Sequence, residues 1–205
     1  MEKNQTKEFE SESYRYVSSY LDEKREDLVP DSLISKSIST MLDVGCGNGD
    51  FLNCWKKQIG IEKATGVEPS EDAIKLLNEK WKDHKEISFL SSFAHSLPFE
   101  NDSFDLVTSW SVLHWVGRNE YLQSIGELIR VTKKYLCILD FVASKDYRVP
   151  YTHKENLFTY KQDFDQVVSA SGVMKPIETM RWIDPSLYGK RKSLNLSNLK
   201  KQKTS

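Results

Sequence analysis

The stretch from Leu42 to Phe51 reads Leu-Asp-Val-Gly-Cys-Gly-Asn-Gly-Asp-Phe, and it constrains the fold more than any other part of the chain. Met41, Leu42 and Val44 form the end of an apolar run that suits a buried strand. Gly45, Gly47 and Gly49 follow at alternate positions, and then Phe51, Leu52 and Trp55 fall at helical spacing. The order is strand, tight turn, helix. Glycine suits a turn that takes unusual φ/ψ and lets a ligand approach the backbone closely. In an open α/β sheet, ligands bind beyond the carboxyl ends of strands, near the point where strand order reverses. A nucleotide-like ligand is therefore expected over Gly45, Gly47 and Gly49.

A dinucleotide fingerprint would read G-x-G-x-x-G/A, with pyrophosphate on the helix N-terminus. Counted from Gly45, the third small residue is replaced by Asp50; counted from Gly47, it is replaced by Leu52. A carboxylate at a helix N-terminus repels pyrophosphate, but it tolerates a ligand carrying an ammonium and a sulfonium. The stretch resembles motif I of class I S-adenosylmethionine-dependent methyltransferases, an acidic residue, x, G-x-G-x-G. A glycine turn without a ligand and a nicotinamide-binding fold are the competing readings of these residues alone. The resemblance implies that Asp43 supports the methionine end of the cofactor and that Gly45, Cys46, Gly47 and Gly49 line it.

The length of 205 residues suits one domain with a sizeable core. A net charge of −1 gives no global argument for nucleic acid or an anionic membrane as partner. No apolar run approaches the ~20 residues needed to span a bilayer. The polar, mostly acidic N-terminus is unlike a signal peptide, so the cytoplasm is the expected location. Cys46, Cys54 and Cys137 form no C-x-x-C pair and stand near no metal-like histidine cluster; reduced, buried thiols and no metal are expected.

Residues 1–12 are polar and read as disordered. From Ser13, Tyr14, Val17, Tyr20 and Leu21 share one helical face, and this helix ends before Pro30. It is read either as a helix packed on the sheet edge or, by the resemblance, as a lid whose tyrosines, Tyr20 among them, close over cofactor and substrate. The first strand is expected at Thr40–Val44, the next helix at 49–58, and a second strand at Ala64–Glu68. Glu68 lies nineteen residues beyond Gly49. A carboxylate at the end of that strand can accept both ribose hydroxyls; a surface glutamate capping a turn is the plainer reading. Gly66-Val67-Glu68-Pro69-Ser70 resembles the family's second motif, which implies the ribose role for Glu68 with Pro69 beside it. Ser70 is a good N-cap for a helix with an apolar stripe of Ala73, Ile74, Leu76, Leu77 and Trp81.

After a third strand at Ile87–Leu90 comes Phe93-Ala94-His95-Ser96-Leu97-Pro98-Phe99-Glu100-Asn101-Asp102-Ser103-Phe104-Asp105-Leu106-Val107. This segment resembles the D-A-x-x-L-P-F-x-[DN]-x-S-F-D-L-V run of the methyltransferase type 11 family, where the first Asp and the next residue bind adenine. Phe93 stands in the Asp position. The Ala94 N–H can still meet an adenine nitrogen, and the Phe93 ring can lie against the purine. His95 reads as an exposed loop residue. A fourth strand is expected at Phe104–Ser109, with Ser109 counted among the cofactor residues. Next, Trp110-Ser111-Val112-Leu113-His114-Trp115-Val116 lacks both the [DN]-P-P-[YF] of base N-methylation and the Pro-Cys of cytosine C5 methylation. It resembles the S-x-x-x-L-H/Q-W-V run of small-molecule methyltransferases. His114 is the candidate general base, or else a structural histidine bonded to the backbone; Trp110 and Trp115 read as packing.

A helix at 120–131 carries Tyr121, Leu122, Ile125, Leu128 and Ile129, and a fifth strand follows at Tyr135–Phe141. The polar, aromatic stretch from Lys145 to Lys161 is the candidate for substrate selection. There Arg148, His153 and Lys161 can hold an anionic group, or form an ordinary solvated loop. A helix from Phe164 ended by Gly172, and antiparallel strands at 176–183 and 192–197, complete the chain; residues 189–205 read as a basic tail. The expected fold is a Rossmann-like three-layer α/β/α sandwich with a seven-stranded, mostly parallel sheet, a methyltransferase domain over 13–188. The resemblance implies S-adenosylmethionine as cofactor and a small molecule as acceptor. A catalytically idle binding protein and a protein or RNA methyltransferase are the alternatives.

Overall fold

The structure is a computed structural model that describes residues 29–141, 147–151, 156–183 and 193–201. The expected disordered N-terminus, the lid helix with Tyr20, and His153 lie outside the described residues. A short helix α1 (Asp31–Ile34) leads to β1 (Thr40–Val44), α2 (Asp50–Ile59), β2 (Lys63–Glu68), α3 (Glu71–Lys80) and β3 (Ile87–Ser91). Then come β4 (Phe104–Trp110), a 3-10 turn (Leu113–Trp115), α4 (Arg118–Val131) and β5 (Thr132–Phe141). The chain continues through β6 (Tyr147–Pro150), β7 (Phe158–Lys161), α5 (Phe164–Ala170), β8 (Met174–Ile183) and β9 (Ser193–Lys201).

Seven strands form one sheet in the order β3-β2-β1-β4-β5-β9-β8. Strands β1 to β5 pair in parallel. Strand β9 is antiparallel to both neighbours, so β8 runs with the parallel set and β9 alone is reversed. The segment from 189 is therefore not wholly a tail. Its Ser193–Lys201 part slots between β5 and β8. Alternation of Leu194 and Leu196 with polar residues fits a strand, but in sequence it is masked by the surrounding lysines. Likewise, part of the stretch read as a substrate loop is a two-stranded hairpin, β6 with β7.

Alternate residues of the central strands feed two cores, one on each face of the sheet. Met41, Leu106, Cys137 and Leu139 pack with Phe51, Leu52, Trp55, Leu77 and Trp81 of the α2–α3 layer. Leu42, Val44, Val107, Leu136 and Ile138 pack with Tyr121, Ile125, Leu128 and Phe164 of the α4–α5 layer. This gives the three layers. Ser70 caps α3 as expected, accepting from the Ala73 N–H at 3.2 Å. Leu76 and Leu122 are exceptions to the apolar stripes: both are largely exposed. At the amino end of the sheet, Asp105 accepts from the Ser39 N–H and pairs with Lys134 at 3.0 Å. Burial raises the Asp105 carboxyl's pKa, yet those donors outweigh it and hold it below its usual range. Asp105 thus ties the starts of β1, β4 and β5, far from the turn at their other ends. Among the described residues, no helix is long and apolar enough to cross a membrane.

Candidate functional site

The sheet order reverses between β1 and β4, so their carboxyl ends open a crevice. The glycine turn leaves β1 at that point. Gly45 and Cys46 both donate to the Val67 carbonyl, at 2.8 and 3.0 Å. The Gly47 N–H donates to Glu68 Oε2 at 3.3 Å, and the Gly49 N–H to the Cys46 carbonyl at 2.9 Å. Gly47 has φ +53°, and a Cβ built there meets nothing within 4 Å, so its outer side is open to a ligand. Gly45 has φ +74° and is covered instead: a Cβ there would sit 2.2 Å from Val112 Cγ2. Four turn amides are thus spent inside the protein. This turn is not a cradle of free N–H groups for phosphate.

Two carboxylates, Asp43 and Glu68, stand near it. Asp43 on β1 is 2% exposed. It accepts from Thr108 Oγ1 of β4 at 2.7 Å. Burial drives its pKa up, the Thr108 bond opposes this, and the Glu68 charge adds to the rise, from 3.8 to about 7. Ser109, the neighbour of Thr108, is fully buried, and its Oγ has no hydrogen-bond partner among the described residues. Cys46 contributes no polar group: its thiol packs against Gly66 inside the core, its N–H and carbonyl are used in the turn, and burial pushes the thiol's pKa well up.

A brace that sequence reasoning missed holds the turn from the α3 side. Lys80 Nζ reaches the Asn48 carbonyl at 3.1 Å and pairs with Asp50, while Trp81 Nε1 donates to the same carbonyl at 3.2 Å. Asn48 Nδ2 bonds Asp50 at 2.6 Å. The Asp50 charge is therefore matched by Lys80. These contacts join residues more than thirty positions apart, and no local pattern signals them.

Beyond β2 and β3, Ser91 Oγ donates to the Pro69 carbonyl at 3.0 Å, and the Ser92 N–H to the Glu68 carbonyl at 3.2 Å. These bonds place Phe93 and Ala94 at the same sheet edge. The Ala94 N–H makes no hydrogen bond among the described residues. Phe93 is half-buried and stacks on His95 with centroids 5.4 Å apart, so His95 is not the exposed loop residue expected. Arg130 of α4 holds the following turn, donating to the Phe99 carbonyl at 2.6 Å and the Leu97 carbonyl at 3.0 Å. The conspicuous Leu97-Pro98-Phe99 run is thus scaffold.

After β4, Ser111 takes φ +57° and its N–H bonds the Leu139 carbonyl, turning the chain across the end of β5. The 3-10 turn that follows buries His114, whose Nδ1 lies 2.6 Å from Asp140 Oδ1. Trp115 meets Tyr151 edge-on at 4.9 Å, and β7 packs over this turn with Tyr160 and Lys161 buried. Arg148 is exposed, with its guanidinium on the Phe158 ring at 4.4 Å. No group of three His, Cys, Asp or Glu among the described residues is arranged to hold a metal.

This strand order and a carboxylate-flanked glycine turn at its switch point define the class I S-adenosylmethionine-dependent methyltransferase fold. Residues 41–135 match the family described as a methyltransferase domain. The chain is 37% identical over 99 residues to a demethylmenaquinone methyltransferase of Staphylococcus saprophyticus, a match covering 48% of this chain and 42% of that relative. The corresponding protein of Staphylococcus haemolyticus is 36% identical over 96 residues, covering 46% and 39%. The matched part is thus under half the length of these curated relatives. A solved 1,6-didemethyltoxoflavin-N1-methyltransferase of Burkholderia thailandensis, bound to its substrate and S-adenosylhomocysteine, superposes with TM-score 0.72 at 16% identity, over 97% of this chain and 87% of that one. The [4+2]-cyclase SpnF superposes with TM-score 0.69 at 15% identity, over 87% and 80%. At such identities the likeness shows the fold.

Proposed function

We propose that this chain is an S-adenosylmethionine-dependent methyltransferase that holds its cofactor over Gly45–Gly49 and methylates a small molecule beside His114. One observation carries the reading. The turn's amides are spent internally, Glu68 accepts from Gly47 beside its open face, and the buried Asp43 lies within reach of the Glu68 charge. Such a site attracts a cation and rejects pyrophosphate. The residues present fit the cofactor, since Gly47 leaves space for it and Ser109 holds an unpartnered buried hydroxyl. S-adenosylmethionine, when bound, supplies a methyl group made electrophilic by its positive sulfur.

The chain's own residues then have distinct tasks. Asp43 and Glu68 hold cationic charge at the turn, and Glu68 also offers acceptor oxygens to ribose hydroxyls. Ser109 offers its hydroxyl, and Ala94 its N–H to the adenine edge, with the Phe93 ring against the purine. His114 receives a proton from the acceptor. The β6–β7 hairpin, with Arg148, borders the acceptor, and Tyr20 and His153 belong to the same reading as acceptor contacts from outside the described residues. Orientation in a water-poor site supplies most of the rate. The names of the curated relatives support a small-molecule acceptor. A cytoplasmic setting without nucleic acid agrees with the near-neutral charge.

A second reading, a binding protein that keeps the fold without turnover, is favoured by Phe93 in the expected Asp position and by a cyclase sharing the architecture. Calorimetric titration with S-adenosylhomocysteine separates them. Micromolar binding that Gly47→Arg abolishes supports the cofactor site, and a labelled-methyl acceptor screen then reads turnover. No binding at millimolar ligand overturns the enzyme reading.

A further inference from the structure

We propose that the amino edge of the sheet, where β5, β9 and β8 lie side by side, docks on an anionic lipid surface. The proposal is independent of the cofactor reading, because it concerns the edge opposite the glycine turn.

Strand directions gather cations there from segments far apart in sequence. Lys133 and Lys134 lie at the start of β5 and Lys175 at the start of β8, while the reversed β9 ends there with Lys200 and Lys201. The register sets Lys200 opposite both Tyr135 and Lys175, and Lys201 opposite Met174. Lys36 joins them from the loop before β1, since the Lys134 ammonium donates to the adjoining Ser37 carbonyl at 3.0 Å. Lys36, Lys133 and Lys175 are exposed. Among the described residues, the carboxylates of this corner are Asp105, which pairs with Lys134, Glu178, which accepts from the Ser32 hydroxyl at 2.6 Å, and Asp31 and Asp102 at its margins. On the far side of the sheet, by contrast, Lys63 and Lys85 are interleaved with Glu62, Asp83 and Glu86, so their charges offset one another.

The same corner exposes apolar surface. Ile34 on α1 is 49% exposed, and Ile177, at the register shift between Pro176 and Glu178 of β8, is 41% exposed. The Ser32–Glu178 bond holds α1 against β8 and so brings the two isoleucines to one region. Leu76 and Leu122, the other large exposed hydrophobics among the described residues, stand apart on α3 and α4. Lysines around exposed isoleucines suit a bilayer: ammonium groups meet anionic headgroups while the apolar side chains enter the boundary beneath. Nucleic-acid surfaces draw instead on arginine forks and aromatic platforms, and the gathered cations here are all lysines. Docked this way, the strands hold the glycine turn about 20 Å from the lipid and leave it open to water.

Vesicle sedimentation of the full chain tests the proposal. The protein is expected to bind phosphatidylcholine vesicles containing about 30% phosphatidylserine at about 0.05 M salt, and to release them at about 0.5 M. Pure phosphatidylcholine should not hold it. Lys36→Gln/Lys133→Gln/Lys175→Gln should lower the partition coefficient about a hundredfold. Lys57→Gln/Lys63→Gln/Lys85→Gln makes the same change in net charge at exposed positions elsewhere and should alter it by no more than about threefold. Ile34→Ser/Ile177→Ser should lower it about tenfold. Hydrogen exchange of the wild type on vesicles should slow over 34–39 and 171–177 and stay unchanged over 45–50. No binding to anionic vesicles at low salt, equal losses in the two lysine triples, or protection centred on 45–50 overturns the proposal. So does tighter binding to an RNA duplex than to anionic vesicles at the same salt. The exchange map needs no variant and decides alone if a triple variant does not fold.

Discussion

Asp43→Asn should stabilise the cofactor-free protein at pH 8 and leave it nearly unchanged near pH 4. Asp43 is buried between β1 and β4 with the Thr108 hydroxyl at 2.7 Å and the Glu68 charge nearby. Burial, the larger cause, and Glu68 together lift its pKa from 3.8 to about 7 against the Thr108 bond. The folded protein then holds a proton that the unfolded chain releases. Stability from this group is complete below about pH 4 and is lost as pH rises through about 7. At 1.36 kcal/mol for each pKa unit, the loss amounts to about 4 kcal/mol. Asparagine keeps an oxygen for Thr108 and stays neutral, so it avoids that loss. Urea unfolding of wild type and variant at a series of pH values measures it, and the difference between the two chains cancels the titrating groups not coupled to Asp43. The gap should open from near zero at pH 4 to several kcal/mol at pH 8. A pH-independent gap, or a variant less stable at pH 8, refutes the reasoning. The same substitution should weaken S-adenosylhomocysteine binding, because the site loses its negative charge.

Gly45→Ala combines a left-handed φ of +74° with a Cβ 2.2 Å from Val112 Cγ2, and should cost roughly 2–4 kcal/mol in thermal or urea unfolding. Adding Val112→Ala should recover the packing part and leave about 1–2 kcal/mol of conformational strain. Phe93→Asp supplies an acceptor for the adenine amine and should tighten S-adenosylhomocysteine about tenfold by calorimetry, a gain of about 1.4 kcal/mol; weaker binding would mean that the aromatic ring already serves the purine better. Lys80→Met and Trp81→Phe each remove one donor from the Asn48 carbonyl and should raise the S-adenosylhomocysteine Kd several-fold, within about 1 kcal/mol of a hydrogen bond's net worth. Unchanged affinity in the double variant would show that the turn holds its shape without the brace.

The parts of the fold written in local pattern were legible. Thr40–Val44 is a strand as the apolar run requires, Ser70 caps α3, and the glycine turn lies at the switch point. Other parts depended on partners distant in sequence. Leu76 and Leu122 satisfy a helical period yet face solvent, because the period marks a stripe and not its edges. The reversed strand β9 was expected over 192–197 within a segment otherwise read as a basic tail; it runs on to Lys201, because β5 and β8 on either side pair it beyond its short apolar alternation. The strongest sequence signal, Leu97 to Val107, proved mainly structural, with Arg130 and Lys134 holding it in place.

For the site, the sequence alone determined the residue types and their order: a strand, a glycine turn, and acidic residues at Asp43 and Glu68. These follow from backbone sterics and strand period, which act within a few residues. Only the tertiary structure decided where the charges act. It spent the turn's amides on Val67, Glu68 and Cys46, raised the Asp43 carboxyl by burying it, and matched Asp50 with Lys80. It also brought Asp140 under His114. Desolvation and charge pairing depend on what surrounds a group in space, and a linear chain does not state that.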